Sequence, residues 1–155
     1  MKLHRMLLAG LGILFAASAF AQSDTDVLEA TRTQIQADRK AVVAKAMGLT
    51  DAQGTSFWPV YNEYRESMRK VDDKLVQLAN DYFQNTDKMT DQQSQSMLNQ
   101  WMNLNAEKVN VRKGYVKKFT KAIPTNKVIR FYQIENKMDA VLRYDLAAGI
   151  PVLEE

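Results

Sequence analysis

From Phe57 onward, apolar residues fall at Phe57, Tyr61, Tyr64, Met68, Val71, Leu75, Leu78 and Tyr82, in alternating steps of four and three. A helix with that spacing presents one continuous apolar seam to a neighbouring helix. The pattern predicts a long helix over about 51–85. A second stripe, Met97, Trp101, Leu104, Val111, Tyr115 and Phe119, predicts another over about 91–122. Lys108 interrupts that stripe, and a lysine tolerates such a position by laying its methylene stem on apolar surface. Val128, Phe131, Ile134, Met138, Val141 and Leu142 form a wider apolar face on a helix over about 125–148. A weaker stripe, Leu28, Thr31, Ile35, Val42, Val43 and Ala46, predicts a helix over about 24–47 with a frayed, mobile start. Nowhere do apolar and polar residues alternate as in a half-buried strand, so the predicted fold class is all-α, with four helices.

The breaks between these stripes carry stop and start signals. Ser23 or Thr25 can cap the first helix, and Gly48 stands where a left-handed residue ends it. Ile123-Pro124 closes the third helix, and Gly149 and Pro151 close the fourth. Pro59 falls inside the second helix, which predicts a kink or a restart near Gly54 to Ser56.

Two of the starts use nearly the same phrase. Leu49-Thr50-Asp51-Ala52-Gln53 and Met89-Thr90-Asp91-Gln92-Gln93 both place Gln three residues after Thr. That spacing lets Thr50 and Gln53, and again Thr90 and Gln93, exchange side-chain and backbone hydrogen bonds as a capping box. Asp51 and Asp91 then lie in first turns, where the helix dipole favours a carboxylate. Leu49 and Met89 stand where a hydrophobic staple forms.

The N-terminus changes what counts as the working chain. Lys2, His4 and Arg5 precede an apolar stretch from Met6 to Ala17, and Ala19-Phe20-Ala21 fits a cleavage site. This predicts a secretory signal peptide over 1–21, cleaved after about Ala21, and a single domain over 22–155 in the periplasm. The apolar run is shorter than a membrane-spanning helix needs. Without residues 1–21, which hold Lys2 and Arg5 but no acid, the formal charge falls from +3 to +1. The one histidine, His4, leaves too, and the chain has no cysteine. The predicted mature protein therefore lacks an imidazole base, a thiolate nucleophile and the nitrogen and sulfur ligands of transition metals. No catalytic residues, cofactor or metal site are expected, and the expectation is of a protein that is not an enzyme.

An exported all-helical chain whose second and third helices open with such phrases resembles the Spy and CpxP family of periplasmic proteins, defined by a twice-occurring LTxxQ motif. Residues 49–53 match that motif in full, and residues 89–93 depart from it at Met89. The resemblance implies an elongated, curved, antiparallel hairpin-like bundle, two copies of which embrace as a cradle-shaped homodimer. It also implies an ATP-independent chaperone or envelope-stress adaptor. Family members that bind metal do so through histidines, which this mature chain lacks.

Candidate binding residues follow from charge and shape. Lys108, Arg112, Lys113, Lys117, Lys118 and Lys121 crowd the C-terminal half of the third helix, with Lys113, Lys117 and Lys121 on one face. Lys127, Arg130 and Lys137 extend the block onto the fourth helix. Such a block suits an anionic partner: acidic segments of unfolded envelope proteins, one sensor domain, or a membrane as an anionic surface. Nucleic acid does not fit an exported chain. Trp58 lies beside the seam and Met102 off the main stripe, so both are candidate exposed contacts. Glu66–Lys70 and Asp139–Arg143 have the spacing of surface ion pairs. Glu135 and Asp139 share a face, but with Arg143 beside them and no further ligands they do not suggest a cation site. The function expected is a chaperone or adaptor that holds partly unfolded proteins on a mixed apolar and basic surface. The alternative is a dedicated interaction protein for one sensor domain or anionic envelope ligand.

Overall fold

The computed structural model describes residues 37–85 and 88–149. They form four helical segments: α1 over 37–47, α2 over Asp51–Asn85, α3 over Asp91–Ala122 and α4 over Thr125–Gly149. No strand occurs among the described residues. The signal sequence, the start of the first helix and residues 150–155 lie outside the described residues, as do Leu28, Thr31 and Ile35 of its predicted stripe.

Local chemistry fixes the helix ends. Gly48 turns the chain after α1 at φ 51°, a left-handed conformation that costs a residue without a Cβ little. Both capping boxes form. The Gln53 N–H donates to Thr50 Oγ1 at 3.3 Å while the Thr50 N–H donates to Gln53 Oε1 at 3.2 Å. Thr90 and Gln93 repeat the exchange at 3.3 and 2.9 Å. Leu49 packs against the core beside its cap. At the far end of α3, Ile123 is extended and its N–H still donates to the Phe119 carbonyl. Pro124 then offers its own carbonyl to the N–H groups of Lys127 and Val128, starting α4.

The expected restart near Gly54 to Ser56 does not occur: α2 runs unbroken through Pro59. Proline inside a helix costs roughly 3 kcal/mol or more. Phe57, Tyr61 and Tyr64 are all buried around it, so packing on either side of Pro59 holds the helix continuous.

α2 and α3 form an antiparallel hairpin. Its rungs are Glu63 with Lys118, Ser67 with Tyr115, Asp72 with Lys108 and Lys74 with Glu107. α1 lies against α4, where the Arg130 and Lys127 side chains donate to the carbonyls of Ala46 and Gly48 at 2.8 and 2.6 Å. The main core lies where all four segments meet. Val43 and Met47 come from α1, Phe57, Tyr61, Tyr64 and Met68 from α2, Phe119 from α3, and Val128 and Phe131 from α4. The centre of this group is aromatic. Phe119 and Phe131 have centroids 4.6 Å apart, and Phe57 lies 5.5 and 5.3 Å from them. Pairs in these tilted and edge-on arrangements add about 0.5–1.5 kcal/mol each beyond burial.

Three apolar assignments change. Val42 of α1 and Val141 of α4 are exposed, and so is Trp101, predicted to lie in the α3 core stripe. On α1 the buried positions are Arg39, Val43 and Met47. The face that packs is thus turned by one residue from the predicted stripe, because Arg39 is drawn inward by charge.

Candidate functional site

The basic block of α3 does not form one free surface. Lys108 Nζ lies 2.7 Å from Asp72 Oδ1, with its side chain mostly buried. Arg112 is paired with Asp139 of α4. Lys118 donates to Glu63 Oε2 at 2.7 Å, and its ammonium stands 4.7 Å from the centroid of the Tyr115 ring. The hydrogen bond to Glu63 raises the Lys118 pKa. These three cations hold α3 to its neighbours. Lys113, Lys117 and Lys121 point away from the bundle, exposed, with no ion pair among the described residues.

Beside these lysines runs an exposed apolar line. At 100° per residue, Leu98, Met102, Val109 and Val116 fall within about 40° of one another on the outer side of α3. All four are exposed. From Leu98 to Val116 the line is about 27 Å long at 1.5 Å per residue. Lys113, Lys117 and Lys121 lie beside its C-terminal end, near Val109 and Val116, and Trp101, 49% exposed, lies beside its N-terminal end. Scattered exposed apolar residues are ordinary, but an apolar patch with a polar rim marks an interaction surface. Met102, expected to lie off the core stripe, is 55% exposed. Trp101 is there because a two-helix seam is narrow, and an indole at its edge keeps half its surface in water.

Trp58 has a different setting. It is half-buried, edge-on to Phe57 and Tyr61 at 5.1 and 5.4 Å, with Lys40 Nζ 5.3 Å from its ring centroid. It closes the edge of the core and lies on α2, apart from the α3 line.

A second feature has no counterpart in the sequence-based expectations. Three arginines and two carboxylates meet inside the bundle. Arg39 of α1 donates to Glu135 Oε2 at 2.8 Å and to Asp139 Oδ1 at 2.6 Å. Arg65 of α2 reaches the same Glu135 oxygen at 3.4 Å. Arg112 of α3 donates to the second oxygen of Asp139. Every helical segment thus contributes a charge. Glu135 is only 1% exposed, and its Oε1 is buried without a hydrogen-bond partner among the described residues.

The two carboxylates respond oppositely. Burial dominates at Glu135 and raises its pKa, although Arg39 and Arg65 pull the other way. Burial also acts to raise Asp139, but its hydrogen bond and charge interaction with Arg39, helped by Lys108 and Arg112, leave its pKa lowered. Burial acts to lower the Arg39 pKa, and Glu135 and Asp139 together outweigh it. Burial pushes the Tyr61 hydroxyl up to about 12. Carboxylates taken up by guanidinium donors form a clamp; they are not arranged as a proton shuttle or a metal cage.

Neither expected surface pair forms: the clamp takes up Asp139, and Glu66 pairs elsewhere on α2. Asp139 turns inward to Arg39 and Arg112, away from Arg143, because two charge-assisted partners inside the bundle, one on each carboxylate oxygen, outweigh an exposed i,i+4 pair. Glu66 takes Arg69 at 2.8 Å, where Lys70 was expected, because the guanidinium fork engages both carboxylate oxygens. A signal for the clamp was present in the sequence. Arg39 lies four residues before Val43, and Glu135 four after Phe131, so opposite charges occupy core-spaced positions on two helices.

Among the described residues, no helix is long and apolar enough to cross a membrane. No known family model, curated protein or solved structure matches the chain.

Proposed function

We propose that this chain is a non-catalytic protein-binding module of the periplasm: an ATP-independent chaperone or envelope-stress adaptor that holds partly unfolded proteins. The observation that carries this reading is the outer face of α3, where the exposed apolar line of Leu98, Met102, Val109 and Val116 leads into the exposed lysines Lys113, Lys117 and Lys121 at its C-terminal end. Exposed lysines attract acidic segments over roughly a Debye length, about 8–10 Å at moderate salt. The apolar line then retains what has been attracted, by burying apolar surface. The signal-like N-terminus and the paired LTxxQ-like phrases favour export and a kinship with Spy and CpxP. Only part of the predicted basic block belongs to this surface, since Lys108, Arg112 and Lys118 are engaged within the bundle.

The test is light scattering from a thermally unfolding client mixed with the mature chain, at low and high salt. Suppression at near-equimolar ratio without nucleotide is expected, weaker at high salt. It should be lost when Leu98, Met102 and Val109 are all replaced by Ser. If several clients aggregate unhindered at both salt concentrations, the chaperone reading fails. A dedicated partner captured by the wild type and lost from the triple variant would then take its place.

A further inference from the structure

On the opposite end of the fold from the α2–α3 turn, the last residues of α1 and the first turns of α4 border an open cleft of about 560 Å³. Lys45, Lys127 and Arg130 line it together with Asn126, Gln133 and Ile129, and no Asp or Glu does. We propose that this cleft is an oxyanion site for a phosphoryl group. It is separate from the outer face of α3 and does not depend on the protein-binding reading.

The charge balance in the cleft supports this. Two of the three cations have a structural duty. Lys127 Nζ donates to the Gly48 carbonyl at 2.6 Å and Arg130 Nε to the Ala46 carbonyl at 2.8 Å, so both cap the C-terminus of α1. That duty leaves donors over. An ammonium has three protons and uses one here; a guanidinium has five and uses the one on Nε. Lys45 is exposed and has no hydrogen bond or ion pair among the described residues.

Capping does not neutralise the cleft either. A helix C-terminus carries roughly −0.5 of an elementary charge and an N-terminus roughly +0.5. The C-terminus of α1 and the N-terminus of α4 meet here, so their contributions cancel, and the three side chains leave a local charge near +3. Elsewhere in the bundle the cations that converge have carboxylates between them: Arg39, Arg65 and Arg112 around Glu135 and Asp139, Lys108 against Asp72. In this cleft three cations converge with no carboxylate. A dianionic phosphoryl group matches that charge, and its oxygens suit the paired terminal nitrogens of Arg130. Asn126 and Gln133 supply neutral donors at the rim.

The experiment is a ¹⁵N–¹H NMR titration of the mature chain with sodium phosphate at fixed ionic strength, with sodium chloride as the control. Saturable shifts are expected at the amides of residues 45–48 and 126–130, with Lys45→Gln weakening the affinity about tenfold and Lys113→Gln leaving it unchanged. Lys45 takes no part in the α1 cap, so its variant should melt as the wild type does. A parallel arm uses vesicles containing phosphatidic acid, whose headgroup is a phosphomonoester. Binding that Lys45→Gln abolishes would identify the source of the phosphoryl group as a lipid headgroup. Binding of phosphate alone would identify it as a small soluble phosphate. The proposal is overturned if phosphate gives no saturable shift, if the amides around Lys113 to Lys121 shift equally, or if Lys45→Gln binds as tightly as the wild type.

Discussion

The two ends of α3 show the same kind of helix in two settings. Its C-terminal half, around Phe119, faces buried side chains from every other helical segment and is crossed by Arg112, whose guanidinium closes the charge clamp. Its N-terminal half leaves Leu98, Trp101 and Met102 in water. Apolar residues are equally available in both halves. What differs is how many neighbours cover them: a helix packed into a bundle buries a wide face, whereas one arm of a hairpin buries only a seam. The first setting produces stability. The second leaves the larger share of apolar surface for a partner, which Val109 and Val116 continue on the outward side of the C-terminal half.

Changes at the two ends should therefore differ sharply. Phe119→Ala removes the ring at the centre of the aromatic group and should destabilise by about 3–5 kcal/mol in urea unfolding. Leu98→Ala should change stability by less than about 0.5 kcal/mol. Similar losses at both positions would mean that coverage by neighbouring helices does not set what each half of α3 contributes to stability.

Asp139→Asn tests the clamp and should cost about 3 kcal/mol, because it removes the carboxylate that Arg112 pairs with and one of the two that hold the buried Arg39. A loss no larger than that of an exposed ion pair would show that the clamp contributes little.

The two carboxylates can also be separated by pH. Glu135 has a raised pKa when folded, so above its ordinary value of 4.5 the native state keeps a proton that the unfolded chain has released. Its contribution to stability is complete below 4.5 and is lost as pH rises through the folded value. Asp139, with a lowered pKa, contributes fully above its ordinary 3.8 and loses that contribution as pH falls through its folded value. Urea unfolding at stepwise pH should thus show Glu135→Gln gaining on wild type as pH rises from about 4.5 to 7. The reverse trend would mean that Arg39 and Arg65 outweigh the burial of Glu135.

The smallest of the effects expected to be measurable is at a cap. Thr90→Ala removes the side-chain acceptor of the Gln93 N–H and should cost about 1 kcal/mol, mostly as fraying of the first turn of α3 seen by hydrogen exchange.

What was legible in the sequence and what was not divide along the range of the interactions. α2 spans Asp51–Asn85 and α3 spans Asp91–Ala122, the boundaries expected from Thr50, Thr90 and Ile123-Pro124. Those signals act within a few residues of where they are written, so the chain itself determines them. The seam of α2 was equally legible, since helical periodicity alone puts Phe57, Tyr61, Tyr64 and Met68 on one face. Periodicity does not say how wide a face each neighbour covers, which is why Trp101 looks like core in the sequence and is half in water. Nor does it pair charges between helices. Arg39 meets Glu135 and Asp139 across separations of 96 and 100 residues. Local spacing instead favoured Arg143 for Asp139. A desolvated guanidinium bridging two carboxylates is stronger than an exposed helical pair, but that contact exists only once α1 has packed against α4. The same packing brings Lys45, Lys127 and Arg130 to one cleft. The sequence therefore determined the helices and their apolar faces, and the tertiary structure decided which charges bind the bundle together and which remain for a partner.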